Sequence, residues 1–261
     1  MIVAAGEALF DCFLGEKPEL RPGGAPYNWA RWLGRLGVDA AFAGVLSKDR
    51  LGGRLLAGLR TDGVRFLGQR DGKNTPLALI EKGGFRFYAE GTTLLEPVPL
   101  PRARAYMLGS LALQLGQVTL PNEGFLALDP NVRPGLTPAR FRRVWPELAA
   151  RAQLIKLSEK DARWLGGAPA TLAGGSRVVV LTQGPRGAIA YLDGARLAVP
   201  AAPARVLDPT GAGDSFFAAL IAELDKMGAL ARWPPKEAEL FQALMAAARL
   251  AARVVGQIGA L

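Results

Sequence analysis

Nine residues, Asp208-Pro209-Thr210-Gly211-Ala212-Gly213-Asp214-Ser215-Phe216, carry the pattern best suited to chemistry. The small residues Gly211, Ala212 and Gly213 let the backbone come close to an anion. The apolar run Phe217-Ala218-Ala219-Leu220-Ile221 that follows reads as a helix. Unpaired N–H groups and the dipole at a helix start favour a developing negative charge. Asp214 lies in the same turn, so one motif offers both an anion pocket and a carboxylate base. That pairing suits phosphoryl transfer, where positioning and charge stabilisation do most of the catalysis. The same residues also fit a plainer task, with Asp214 and Ser215 capping a buried helix and the glycines allowing close packing. Two other phosphate-binding patterns fit poorly. Gly211-Ala212-Gly213 lacks the third glycine of a dinucleotide fingerprint, and Gly68…Gly72-Lys73-Asn74 has neither the spacing nor the hydroxyl of a P-loop.

Two absences narrow the chemistry further. The 261 residues include no histidine and one cysteine, Cys12. Histidine triads, two-histidine metal sites, intrachain disulfides and cysteine zinc sites are therefore excluded. A base working near neutral pH must come from Asp, Glu, Lys, Tyr or Cys12, and a carboxylate is the simplest choice. The formal charge is +9, which helps an anionic nucleotide to bind. No dense basic run exists, and pairs such as Arg142-Arg143 sit among apolar residues, so no nucleic-acid partner is expected. No stretch reaches the roughly 18 apolar residues of a membrane span, so no membrane partner is expected either. Met1-Ile2-Val3-Ala4-Ala5-Gly6-Glu7 reads as a strand rather than a secretory leader, and the expected location is cytoplasmic.

Positioning these groups falls to alternating strands and helices. Strands are expected at Ile2–Ala8, Ala41–Leu46, Phe125–Asp129, Leu154–Leu157, Val178–Thr182 and Ala188–Leu192. Helices are expected at Pro26–Leu36, Leu51–Leu59, Thr137–Arg151, Glu159–Leu165, Ser215–Leu224 and Lys236–Val255, from apolar spacing and flanking glycines. The alternation implies an α/β fold, a doubly wound, mostly parallel sheet with helices on both faces. Leu77-Ala78-Leu79-Ile80 and Phe85-Arg86-Phe87-Tyr88 flank Glu81-Lys82-Gly83-Gly84 as a hairpin, and Cys12–Leu14 could add a strand. We expect one domain over 1–261, with a small β lid formed by about 12–22 and 66–95.

At this level the sequence resembles the ribokinase-like (PfkB) carbohydrate kinases. The 208–214 segment is similar to their C-terminal signature, Gly23-Gly24-Ala25-Pro26-Tyr27-Asn28 to their N-terminal one, and Gly6-Glu7-Ala8-Leu9-Phe10-Asp11 to their first strand. The resemblance implies ATP as donor with Mg2+, and a small sugar as acceptor. It gives Asp214 the role of base, and Gly211, Ala212 and Gly213 that of anion pocket. Asp11, Gly23, Gly24 and Asn28 would hold sugar hydroxyls. Thr182-Gln183-Gly184-Pro185-Arg186-Gly187 resembles a nucleotide loop, with Thr182, Gly184 and Gly187 as contacts and Ala248 beside adenine. A turn between strands explains that loop equally well, and helix packing explains Ala246, Ala247 and Ala248. The family's Asn-x-x-Glu appears as Ser158-Glu159-Lys160-Asp161, leaving Ser158 for the nucleotide and Asp161 for Mg2+ through water. A K+ site could form at Asp208 and Thr210, although some ligands that relatives use are missing.

Asp129-Pro130-Asn131-Val132-Arg133-Pro134 resembles the fructokinase and 2-keto-3-deoxygluconate kinase versions of its motif. Arg133 at a strand end would face the crevice where α/β sheets bind ligands; a structural ion pair is the plainer alternative. Lys156-Leu157-Ser158 leans toward the fructokinase branch, so fructose is the first acceptor expected. Other sugars or nucleosides remain as alternatives, and so does a non-catalytic sensor on the same fold. The apolar lid residues Leu77, Leu79, Phe85 and Phe87 could also join two copies into a homodimer.

Overall fold

The computed structural model describes residues 1–15, 18–81, 84–133, 135–257 and 259–261. Nine strands form the main sheet, in the spatial order β15 (Ala195–Val199), β14 (Ala188–Leu192), β13 (Val178–Thr182), β12 (Leu154–Ser158), β11 (Phe125–Asp129), β10 (Ala105–Gly109), β1 (Ile2–Ala5), β4 (Ala40–Ala43) and β6 (Arg65–Phe66). From β13 to β6 every neighbour is parallel, and β14 and β15 add an antiparallel edge.

Parallel strands buried on both faces read as continuous apolar runs, because each face meets a helix layer. In β1, Ile2 and Ala4 enter one core while Val3 and Ala5 enter the other. The first core packs α1 (Ala25–Arg35), α2 (Arg50–Thr61), α7 (Ala212–Lys226) and α8 (Glu237–Val255). The second packs α3 (Ser110–Leu115), α4 (Ala139–Arg151) and α5 (Glu159–Leu165), with Leu172 of α6 (Pro169–Leu172) at its border. Helix α7 is buried almost all round, from Ser215 through Ala222. Such a helix belongs inside the molecule, while residues 211–214 at its N-terminus are partly exposed.

A second sheet has the order β3 (Glu19–Gly23), β2 (Leu9–Phe13), β8 (Leu77–Glu81) and β9 (Gly84–Tyr88). The hairpin read from the sequence is β8 and β9; its turn residues Lys82 and Gly83 and the side chain of Phe85 lie outside the described residues. Residues 69–71 form β7 (Gln69–Asp71), which pairs with β5 (Val45–Ser47) rather than joining the second sheet.

Three expectations need correcting. The strand read as Ile2–Ala8 ends at Ala5, because Gly6 takes φ +148 and turns the chain into the second sheet. The strand read as Ala41–Leu46 breaks at Gly44, where a side chain would meet the Gly6 carbonyl at 2.5 Å. The helix expected from Thr137 starts at Ala139, after Pro138 in an extended conformation. β10 and α3 were not anticipated at all.

Helices α1 and α7 meet through Trp29 and Phe217, both fully buried, with ring centroids 5.2 Å apart and planes at 82°. Phe217→Ala should lower unfolding free energy by about 3–5 kcal/mol, read by urea denaturation. A change within the roughly 0.5 kcal/mol typical of surface substitutions would mean that this contact does not hold the two helices together.

Candidate active site

The start of α7 follows from its sequence. Gly211 precedes the helix at φ 79, a left-handed conformation that a side chain resists. A Cβ there would also lie 2.4 Å from Ala260. Asp214 follows in the first turn and is held from α1. Its Oδ2 accepts from Asn28 Nδ2 at 2.8 Å and its Oδ1 from Trp29 Nε1 at 3.2 Å. Burial pushes its pKa up, opposed by Asn28, Lys156, Arg133 and Trp29. A carboxylate with a raised pKa is a stronger proton acceptor than a surface one when it is ionised.

Asp214 opens onto a cleft of about 380 Å³. Its walls come from the C-terminal ends of β1, β10, β11 and β12, where open α/β sheets bind ligands. Glu7, Ser110, Asn131 and Lys156 mark those four ends, and Thr210, Gly211 and Gly213 close the side toward α7. The second sheet covers the cleft with Leu9 and Asp11 of β2, Ala78 and Ile80 of β8, and Phe87 of β9. The register explains the selection, since Asp11, Ala78 and Phe87 stand opposite one another on adjacent strands. Leu77 packs instead against the main core.

Of the sugar-side residues read from sequence, Asp11, Gly24, Asn28 and Arg133 line this cleft. Gly23 sits just behind it: a Cβ at Gly23 would fall 2.5 Å from Asp11 Oδ2, so glycine there leaves Asp11 its place. Gly24, at φ +99, caps α1 against the Glu7 carbonyl. Burial and the charge of Asp214 raise the Asp11 pKa to about 6, against the pull of Arg133 and Arg21. Asn28 gives its N–H to Asp214, while its Oδ1 is buried with no hydrogen-bond partner among the described residues. Such an atom is costly unless something donates to it. Arg133 Nη1 donates to Asn131 Oδ1 at 2.5 Å, which turns the guanidinium toward the cleft rim.

Two charged residues of the site were not singled out for chemistry in the sequence. Lys156 Nζ lies 2.8 Å from Asp129 Oδ2, both fully or nearly fully buried. Desolvation alone would lower the Lys156 pKa, but Asp129 and Asp161 outweigh it and hold the ammonium charged. A Cβ on Gly213 would be 3.3 Å from that Nζ, so the positive charge stands directly behind the Gly211–Gly213 turn. A lone lysine inside the apolar strand Leu154–Ser158, beside a strand ending in Asp129, was a visible signal of a buried pair. Glu7 accepts from the backbone N–H groups of Ala112 at 3.0 Å and Leu111 at 3.4 Å. Nothing in the sequence announced that role, because α3 was not foreseen.

None of the residues assigned to the nucleotide is among those that form the walls of this cleft. Ser158 and Thr182 are register partners at the ends of β12 and β13. Gly184 and Gly187 form the turn from β13 to β14, and a Cβ on Gly187 would meet the Val199 carbonyl at 2.1 Å. Ala248 is buried in the core. Asp161 accepts from Val132 N, Ser158 N and Ser158 Oγ at 2.6–2.7 Å, joining the start of α5 to the 131–133 loop. Asp208 accepts from Thr210 N at 2.9 Å, Gly259 N at 3.0 Å and Arg21 Nη1 at 3.1 Å.

The chain's relatives accord with this geometry. The pfkB family carbohydrate kinase profile matches residues 12–101 and 105–261. A fructokinase of Rhizobium leguminosarum bv. trifolii is 32% identical over 261 residues, covering 86% of this chain and 79% of its own. Among solved structures, aminoimidazole riboside kinase from Salmonella enterica, complexed with aminoimidazole riboside and an ATP analog, superposes with a TM-score of 0.86 at 22% identity, over 99% of this chain and 94% of its own. A double mutant of fructokinase from Vibrio cholerae O395, in its fructose, ADP and potassium ion bound form, also gives 0.86 at 22% identity, over 99% and 93%. A helix long and apolar enough to cross a membrane is absent among the described residues. With the profile spanning nearly its whole length, this chain belongs to the pfkB family of carbohydrate kinases.

Proposed function

We propose that this protein transfers the γ-phosphoryl group of ATP to a hydroxymethyl group of a small sugar, with fructose as the acceptor. The observation that carries this reading is the pairing of Asp214 with Asn28 at the cleft floor, where one carboxamide binds the base and keeps a free acceptor oxygen. The acceptor hydroxyl gives its proton to Asp214 as its oxygen attacks phosphorus. A neighbouring sugar hydroxyl donates to Asn28 Oδ1, and Asp11 accepts from others. Arg133 donates at the rim. Charge developing on the transferred group meets the N–H groups of Gly211 and Gly213, with the Lys156 ammonium behind them, while the Ala212 N–H assigned with them from the sequence donates to the Pro209 carbonyl at 3.3 Å. The second sheet keeps water from the reacting phosphate, the usual service of a cover over a phosphoryl-transfer site.

Ser158, Thr182, Gly184, Gly187 and Ala248 are proposed to border the nucleotide. Magnesium would arrive on its phosphates, neutralising their charge. No group of three or more carboxylate or thiol side chains is gathered to hold a metal among the described residues, which suits an ion bound chiefly by phosphate oxygens and water. Asp161 would reach it through water, if at all, from its place at the start of α5. The donor set at Asp208 and Thr210 does not suit a further monovalent cation, because the Arg21 guanidinium already stands there. The fructokinase relatives favour fructose over a nucleoside acceptor. Leu20 and Tyr88 lie exposed on the second sheet, and we place a homodimer contact there, to be read by sedimentation.

Three measurements test the reading. Asp214→Asn should lower kcat by about 10²–10⁴-fold, the worth of a positioned acid/base, with ATP affinity preserved; near-wild-type turnover would remove Asp214 from the mechanism. A screen of sugars and nucleosides with magnesium-ATP, read by ADP release, should find fructose the best acceptor, and activity confined to a nucleoside would overturn that choice. Asp11 binds hydroxyls only when ionised, and its raised pKa places protonation near pH 6. The KM for sugar should therefore rise as pH falls through about 6, with the KM for ATP nearly unmoved. A flat sugar KM across that range would mean that Asp11 does not hold the acceptor.

A further inference from the structure

Arg21 is the residue that the chemistry above leaves unexplained. It stands on β3, directly across from Asp11 of β2. Its guanidinium leaves the second sheet and reaches the first residue of the anion-binding turn, Asp208, at 3.1 Å. Two further contacts fix the group in place. Glu19 accepts from its other nitrogen at 2.6 Å, and the Phe13 ring lies under it at 4.4 Å from the centroid. Only about a fifth of the arginine side chain, and less of Asp208, is exposed.

What Asp208 does with its oxygens gives this contact its meaning. Oδ1 accepts from Thr210 N, which bends the chain toward Gly211. Oδ2 accepts from Gly259 N, which ties in the C-terminal segment. That segment packs on Gly211 through Ala260, and the Ala260 carbonyl accepts from Trp32 of α1 at 2.9 Å. Asp208 is thus the knot joining the turn, the C-terminal segment and, through Arg21, the sheet that covers the cleft. A carboxylate in such a knot needs a positive neighbour. With one already bonded to Oδ2, a second cation there would be repelled.

We propose that Arg21 is a built-in cation for the catalytic turn: its guanidinium holds Asp208, and through it the Gly211–Gly213 pocket, so that the enzyme needs no bound potassium or sodium ion there. Arg21 is a positioning residue, since it meets Asp208 and not the reacting atoms. Its place on β3 adds a second consequence. A shift of the second sheet moves the guanidinium, so the cover over the sugar and the shape of the anion pocket are mechanically joined. The proposal rests on the kinase reading for its activity arm, and a melting-temperature arm is independent of it.

The experiment compares potassium chloride with tetramethylammonium chloride at equal ionic strength, for the wild type, Arg21→Ala and Arg21→Lys. Wild-type turnover and Tm should be the same in both salts. Arg21→Ala should lose about tenfold or more in kcat, as expected when a pocket is displaced by a fraction of an ångström. Potassium should restore part of that loss and raise the variant's Tm, because a ligand binding only the folded state stabilises it. Arg21→Lys, which keeps a cationic group, should stay insensitive to the choice of salt. Wild-type turnover or Tm raised specifically by potassium overturns the proposal and requires no variant, so a failure of Arg21→Ala to fold leaves it testable. An Arg21→Ala enzyme with wild-type turnover, or one whose loss potassium does not repair, overturns it equally. If no acceptor is phosphorylated at all, the kinase reading fails, while the melting comparison still decides the role of Arg21.

Discussion

Holding the Asp214 carboxylate in a fixed, half-buried place at the edge of the cleft is the constraint on which the rest of the structure depends. A buried, unpaired carboxylate would take up a proton and cease to be a base. Here the ionised form is supported by two side-chain donors from α1, by the first turn of its own helix, and by Lys156 and Arg133 at longer range. Each of these supports needs another element in place. Trp29 is set by Phe217, Lys156 by Asp129, and the helix start by the left-handed Gly211. The tight packing of α1 against α7 is therefore part of the chemistry and not only of the core.

Charge in the cleft is arranged in opposing layers. Asp11 and Asp214 face the cleft, Lys156 stands behind the Gly211–Gly213 turn, and Arg133 and Arg21 flank the rim and the turn. The charge of Asp214 raises the Asp11 pKa, and the two carboxylates would repel more without those cations. The split suits a reaction in which a proton leaves the acceptor on one side while negative charge gathers on the other. It also explains why glycine recurs at the seams: at Gly23, Gly24, Gly211 and Gly213 an added carbon would meet Asp11, the Glu7 carbonyl, Ala260 or Lys156.

The second sheet connects recognition to this charge layout. Its cleft-facing row of Asp11, Ala78 and Phe87 is polar at one end and apolar at the other. An isolated hairpin of this size would be marginal in water, so β8 and β9 owe their order to β2 and to the core contact of Leu77. Arg21 then makes the sheet's position felt at the base of α7.

The sequence by itself determined the α/β class, the β8–β9 hairpin and the 208–214 turn, and its family resemblance pointed to Asp11, Asn28 and Arg133, which the structure brings to one cleft. Those features are local: apolar periodicity, glycine spacing and a motif within one turn are all written in consecutive residues. Only the tertiary structure decided the rest. Ile2–Ala8 looked like one strand because it opens on four consecutive apolar residues, and the break at Gly6 depends on where β4 and the second sheet lie. Trp29 read as core, and its indole N–H found Asp214 only once α1 and α7 were packed. Lys156 and Arg21 gained their meaning from partners far away in the chain, Asp129 and Asp208. A sequence displays which charges are present, but the low-dielectric interior that makes their pairing matter exists only after the chain has folded.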